Sequence, residues 1–190
     1  SFFKSAFEKL GGTIVAEEQF QTNQSDFKAI LTNIKSANPD IIFAPSSITT
    51  APLIIKQARE MGITAVIAAG DTWENATIIE NAGADAEGTV FSTFYDEAAP
   101  ANDEAAAFVD GFKAYLTSIG ESDIIPAVSA LGYDAYITAV QAIKDADSVD
   151  PAAIKDALKN VHVEGVTGDI TFDENGDANK DMAYIKTIKD

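Results

Sequence analysis

The sequence predicts an α/β fold built on a doubly wound parallel sheet, together with helices that this sheet does not serve. Three observations carry the prediction. Strands begin near residues 13, 41, 65 and 89, at intervals of 28, 24 and 24 residues, which suits a strand, a loop and a helix. The strand segments are apolar on both faces, as in a parallel sheet covered on each side. The segments between them carry apolar residues at i, i+3, i+4 and i+7, the spacing of one helical face. Right-handed crossovers are then expected.

The elements follow in order. Phe3, Ala6, Phe7 and Leu10 share one helical face, and Gly11-Gly12 stops that helix. Thr13-Ile14-Val15-Ala16 reads as a strand. Ser25 is placed to cap a second helix bearing Phe27, Ile30, Leu31 and Ile34. Ile41-Ile42-Phe43-Ala44 is the next strand. Pro52 suits a helix start, Ala51, Ile54, Ile55 and Ala58 form its stripe, and Gly62 ends it. Thr64–Ala69 reads as a strand, Glu74–Asn81 as a short helix and Thr89–Phe94 as a further strand. The series opens on a helix with no strand to feed it.

After about residue 95 the pattern changes. Asp96 to Asp103 is polar and contains Pro100. Two longer helices follow: Asp103–Ile119, with Phe108, Phe112 and Tyr115 on one face, and Ala127–Ala146, with Tyr136, Val140 and Ile143. Asp150-Pro151 supplies an N-cap and first-turn proline for a short helix bearing Ile154 and Leu158. Gly168–Phe172 alternates, Asn175-Gly176 is a hairpin turn, and Met182–Ile188 reads as a strand. Each large apolar residue of the two long helices gains roughly 1.5–3 kcal/mol by burial, yet no consecutive strands lie nearby. Those residues are expected to pack on segments outside these 190, on a second copy, or on each other.

Composition narrows the function. Thirteen basic against 30 acidic side chains give a net charge of −17, and 46% hydrophobic with 23% charged residues is an ordinary globular balance. Phosphate backbones and anionic lipid repel such a surface, and Arg59 is the only arginine, so nucleic acid is not an expected partner. Without cysteine there is no disulfide framework, thiolate metal site or cysteine nucleophile. Apolar runs such as Ala65–Ala69 fall far short of a membrane span. The chain shows no leader and does not begin with Met, and it reads as a processed, trimmed or excised segment.

Candidate chemistry is sparse. His162, the one histidine, lies between Val161 and Val163 near an expected strand start and reads as structural or exposed, not catalytic. No phosphate-binding glycine loop appears. Asp173-Glu174-Asn175-Gly176-Asp177 resembles a calcium loop, but Ala178 and Tyr184 stand where glycine and a bidentate glutamate are needed; a hairpin turn is the better reading. Asn23-Gln24-Ser25 and Asn75-Ala76-Thr77 match the glycosylation sequon at chance level. In open α/β sheets ligands bind beyond the carboxyl ends of the strands. Those ends carry Glu17–Phe20, Ser46-Ser47-Ile48, Gly70-Asp71-Thr72-Trp73 and Tyr95-Asp96. Hydroxyls, a carboxylate and aromatic rings together suit a small polar ligand with a cationic group. The alternative is that Asp71 caps the helix at Glu74–Asn81 and that Ser46 and Ser47 only turn the chain.

An ordered series of motifs adds to this. Gly11-Gly12-Thr13-Ile14-Val15, Ser25-Asp26-Phe27, Asn38-Pro39-Asp40-Ile41-Ile42, the block from Lys56 to Ile63, Gly70-Asp71-Thr72-Trp73, Ala86-Glu87-Gly88, Tyr133-Asp134-Ala135, Gly165-Val166-Thr167-Gly168 and Phe172–Asp177 follow one another. In this the chain resembles the branched-chain amino-acid binding proteins of bacterial ABC importers, with the type I periplasmic binding fold. The resemblance covers nearly the whole chain. It implies two lobes joined by three crossing strands and closing on ligand. Residues 1–94 would be the second lobe without its first strand, 95–178 helices and hairpin of the first lobe, and 179–190 a strand returning to the second.

Under this resemblance Asp71 corresponds to the acidic residue that holds the ligand's α-ammonium. Ser47-Ile48 stands where the family commonly has an aromatic pair, a departure that bears on ligand identity. Ser46, Thr72, Trp73 and Tyr95 complete the expected ligand-binding set. Trp73 is expected to touch ligand or lie at the lobe interface, or else to pack under the following helix. The resemblance implies no enzyme activity and no cofactor. It implies a small-molecule ligand, an ABC permease as partner, the remainder of a binding protein missing from this chain, and a periplasmic or membrane-anchored extracellular location. An enzyme would need a second titrating group facing Asp71, and the strand ends offer Glu17, Glu18 and Asp96. A ligand-sensing domain of a receptor or regulator is the alternative on the same fold.

Overall fold

A computed structural model describes residues 2–180 and 183–189. Contacts divide the chain into two compact units, one of Ser1–Ala69, Thr77–Val90 and Thr187–Asp190, the other of Gly70–Ala76 and Phe91–Lys186. In chain order the elements are α1 (Phe2–Lys9), α2 (Lys28–Ala37), β1 (Ile41–Phe43), α3 (Ala51–Glu60), β2 (Val66–Ala69), a 3-10 turn (Asp71–Trp73) and α4 (Ala76–Ala82). After β3 (Val90–Thr93) come α5 (Asp103–Ser118), α6 (Ala127–Ala146), α7 (Pro151–Leu158), β4 (Val163–Gly165), β5 (Gly168–Ile170) and β6 (Tyr184–Thr187). One sheet has the order β1-β2-β3-β6, and β4 pairs antiparallel with β5.

The first unit forms around a parallel pair. Ile41, Ile42 and Phe43 register with Val66, Ile67 and Ala68. Ile42 and Ile67 are buried against a core that includes Phe27, Leu31, Ile54, Ile55 and Ile78. On the other side of β1, Phe3 of α1 stacks on Phe43 with ring centroids 3.8 Å apart. Helices therefore flank the strand on both faces, as expected of a doubly wound sheet. The lone arginine is structural: Arg59 donates to the carbonyls of Ile63 and Ala65 at 2.8 and 3.0 Å, tying the end of α3 to the approach to β2.

Three local expectations are corrected. Residues 13–16 form no strand; a strand needs a ladder partner, and among the described residues these find none, with Val15 left exposed. Ser25 does not cap α2, which starts at Lys28; Asp26 Oδ1 accepts from the Lys28 N–H at 3.0 Å instead. The Gln57 side chain accepts from Phe27 N–H and donates to the Ser25 carbonyl, so the entry to α2 is fixed from α3. The helix expected at Glu74–Asn81 is a 3-10 turn over Asp71–Trp73 followed by α4 from Ala76. Met182, expected to begin the last strand, lies outside the described residues.

The second unit packs α5 and α6 around Tyr95, Ala105, Val109, Ile125, Ala127, Ala130 and Val166. Phe108 stacks on Phe112 at 5.4 Å and touches Tyr133 at 5.0 Å. Phe108 and Phe112 thus pack on this unit's own core, whereas Tyr115, Tyr136 and Ile143 remain exposed. Asp150 caps α7 by accepting from the N–H groups of Ala152 and Ala153. The expected breaks at 94 and 178 stand beside observed unit limits at 69, 76, 90 and 186. No described helix is long and apolar enough to cross a membrane.

Candidate functional site

The expected ligand-binding residues follow the ends of β1, β2 and β3. Beyond β1, in the first unit, Ser46 is buried and Ser47 exposed. Ser47 Oγ lies 2.8 Å from Thr49 Oγ1 and 3.2 Å from Thr50 Oγ1, and its carbonyl accepts from the N–H groups of Thr50 and Ala51. Its polar groups therefore shape the entry to α3.

Beyond β2, in the second unit, Asp71 opens the 3-10 turn and is half-buried. Its carbonyl accepts from Glu74 N–H at 3.0 Å, but its carboxylate has no hydrogen bond or ion pair among the described residues. Since α4 starts at Ala76, Asp71 is not its N-cap. Thr72 is exposed. Trp73 is 1% exposed, on a turn that packs against α6.

Tyr95 lies deeper. It is 2% exposed, with its ring edge-on to Phe108 at 6.4 Å and its buried hydroxyl without a hydrogen-bond partner among the described residues. Burial, with the Glu97, Glu74 and Asp96 carboxylates adding to it, pushes the phenol well above the ordinary tyrosine range. Asp71, Thr72 and Trp73 are thus contiguous on one turn, Tyr95 is in the core of the same unit, and Ser46 and Ser47 belong to the other unit.

Two carboxylates escaped sequence reasoning. Glu74, 7% exposed, accepts from Thr93 Oγ1 at 2.5 Å and pairs with Lys186, whose ammonium also lies 3.3 Å from Asp96. Asp134, 3% exposed on α6, accepts from Val166 N–H at 2.7 Å, Thr167 N–H at 2.9 Å and Thr167 Oγ1 at 2.5 Å. Both motifs joined by Asp134, Tyr133-Asp134-Ala135 and Gly165-Val166-Thr167-Gly168, were visible in the sequence; only the long-range contact reveals the partnership.

The other titrating candidates are already engaged. Lys4 pairs with Glu17 at 2.7 Å and holds that carboxyl below its usual range, and Glu18 accepts from Asn33 at 3.0 Å. His162 is exposed, 3.6 Å from Asp169. Asp173 Oδ1 accepts from the N–H groups of Asn175 and Asp177, the hairpin turn that the sequence suggested. No group of three metal-ligating side chains occurs among the described residues. A cavity of about 350 Å³ in the second unit is lined by Leu131, Thr138, Ile154, Leu158, Ile170 and Phe172 among others, and holds none of the expected ligand residues.

The sequence pattern of the family described as periplasmic binding protein matches residues 2–190. The chain belongs to that family. It is 26% identical over 188 residues to the leucine-, isoleucine-, valine-, threonine- and alanine-binding protein of Pseudomonas aeruginosa, covering 98% of this chain and 48% of that protein. Among solved structures, the leucine binding protein LivK of Thermotoga maritima superposes with a TM-score of 0.87 at 36% identity, over 99% of this chain and 52% of that one. The branched-chain amino acid transporter substrate binding protein LivJ of Streptococcus pneumoniae, solved in complex with isoleucine, gives 0.81 at 33% identity, over 97% and 51%. The fold is that of type I periplasmic binding proteins, and the chain spans about half the length of the family members it matches.

Proposed function

We propose that this chain belongs to an extracytoplasmic solute-binding protein that captures an amino acid and delivers it to an ABC permease in a bacterial envelope. The observation that carries the reading is the Asp71 carboxylate. It emerges just past a parallel strand, half-buried and with no hydrogen bond or ion pair to its carboxylate among the described residues. A carboxylate in that setting is poised for an external cation, and an α-ammonium fits. Thr72, beside Asp71 on the same turn, adds a hydroxyl, and the buried Trp73 anchors that turn in the second unit. The names of the Pseudomonas, Thermotoga and Streptococcus proteins point to a branched-chain amino acid as the first ligand to try.

The test is calorimetric titration of the complete protein with isoleucine, leucine and valine, repeated with Asp71→Asn. A charge-assisted hydrogen bond contributes about 1.5–3 kcal/mol, or roughly ten- to a hundredfold in affinity. Asp71→Asn is expected to fold normally and lose at least about tenfold. Unchanged affinity with an unchanged melting temperature would refute Asp71 as the charge-recognition residue.

A further inference from the structure

The ion pair at Glu74 joins parts of the chain that lie far apart in sequence. Glu74 and Lys186 are separated by 112 positions, and Lys186 lies 5.7 Å above the Tyr95 ring as well as against Asp96. Every member of this network belongs to the second unit. Their positions along the chain are not arbitrary. The chain passes between units after Ala69, Ala76, Val90 and Lys186. Glu74 sits in the short excursion from Gly70 to Ala76, Thr93 and Asp96 lie just past the third passage, and Lys186 is the last residue before the fourth. Each segment that enters or leaves the second unit therefore carries at least one member of a single, largely buried charge network.

We infer that Glu74, Thr93, Asp96 and Lys186 form a clamp that fixes these passages to the second unit. Backbone rotation is then confined to the far side of each passage, at Ala69, Thr77, Val90 and Thr187. That this rotation accompanies ligand capture rests on the proposed solute-binding role; the clamp itself does not.

Hydrogen exchange on the ligand-free protein tests the clamp. Lys186→Met strands the Glu74 carboxylate, so loosening in that variant alone could reflect a buried unpaired charge. Glu74→Gln combined with Lys186→Met removes that charge while Gln still accepts from Thr93. The double variant is expected to keep its melting temperature, yet to exchange at least about tenfold faster at 73–75, 91–96 and 184–186 together, with β1 and β2 unchanged. Wild-type protection at any of these segments in the double variant would overturn the clamp, as would loosening spread equally into β1 and β2. Adding isoleucine to the wild type is expected to change exchange at 69, 77, 90 and 187–189 and to leave 91–96 unchanged. Isoleucine failing to bind by calorimetry counts against the solute-binding role alone.

Discussion

Asp134 offers the sharpest test of how the second unit is held together. Its carboxylate is buried on α6 and receives two backbone N–H groups and one hydroxyl from the turn between β4 and β5. Asp134→Ala strands the N–H groups of Val166 and Thr167, at roughly 1–3 kcal/mol each, and takes the acceptor from the Thr167 hydroxyl, whose oxygen still accepts from Lys180 at 2.6 Å. The expected loss is about 3–5 kcal/mol, a large part of the roughly 5–15 kcal/mol that holds a domain folded. Gly165 explains the other half of the motif. A Cβ there would lie 2.6 Å from Asp134 Oδ1, so Gly165→Ala must displace the carboxylate and break the same bonds. It should cost about 2 kcal/mol or more in the wild type and less than about 0.5 once Asp134 is alanine, because the obstacle has gone. Chemical denaturation followed by Trp73 emission reports on this unit directly. Additive losses in the double variant, or an Asp134→Ala loss below about 1 kcal/mol, would refute the reasoning.

Further outcomes follow from single residues. Tyr95→Phe removes a buried hydroxyl that has no hydrogen-bond partner among the described residues, so thermal melting should show stability unchanged or raised by about 1 kcal/mol. Trp73, the sole tryptophan, should resist acrylamide quenching in the native protein and become quenchable only on unfolding. The Asp173 carboxyl is held below its ordinary value of 3.8, chiefly by the Asp177 N–H and also by those of Asn175 and Gly176. A depressed carboxyl stabilises the folded turn fully above the ordinary value and loses that contribution as pH falls through the depressed one. The amide resonances of Asn175 and Asp177 should therefore hold steady from about pH 7 to 5 and move only below about pH 4.

Local signals made most of the fold legible. The Asp150-Pro151 start of α7, the Pro52 start of α3 and the stripe of α6 each lie within one stretch of chain, and each element appears where its pattern placed it. The strand expected at 13–16 failed because a strand depends on a ladder partner that its own sequence does not contain. Residues 71–75 misled for a related reason: Trp73 and Glu74 are drawn into contacts with α6, Thr93 and Lys186, and the regular helix begins only afterwards. The position of Asp71 was readable from strand topology, whereas the depth of Tyr95 depends on residues from 105 to 166 that only the folded chain brings near.

Asp71 and Glu74 lie three residues apart on the same turn and meet opposite fates. Glu74 is buried and bound to Lys186 and Thr93, so its charge is met inside the protein. Asp71 is half-buried and meets no cation among the described residues. With 13 basic residues against 30 acidic ones, most carboxylates on this chain must be neutralised by solvent, and an exposed one needs no explanation. Asp71 is different because partial burial weakens its hydration while the described residues offer its carboxylate no partner in return. Glu74 also ties the end of the turn to Thr93 and Lys186, and its N–H donates to the Asp71 carbonyl, which holds Asp71 in place while leaving its carboxylate unengaged among the described residues. Preorganisation of this kind removes ordering cost from a later binding event. Loosening Glu74 is therefore expected to weaken the ammonium recognition proposed for Asp71. A Glu74→Gln variant with full isoleucine affinity would separate the two carboxylates and leave Asp71 to act alone.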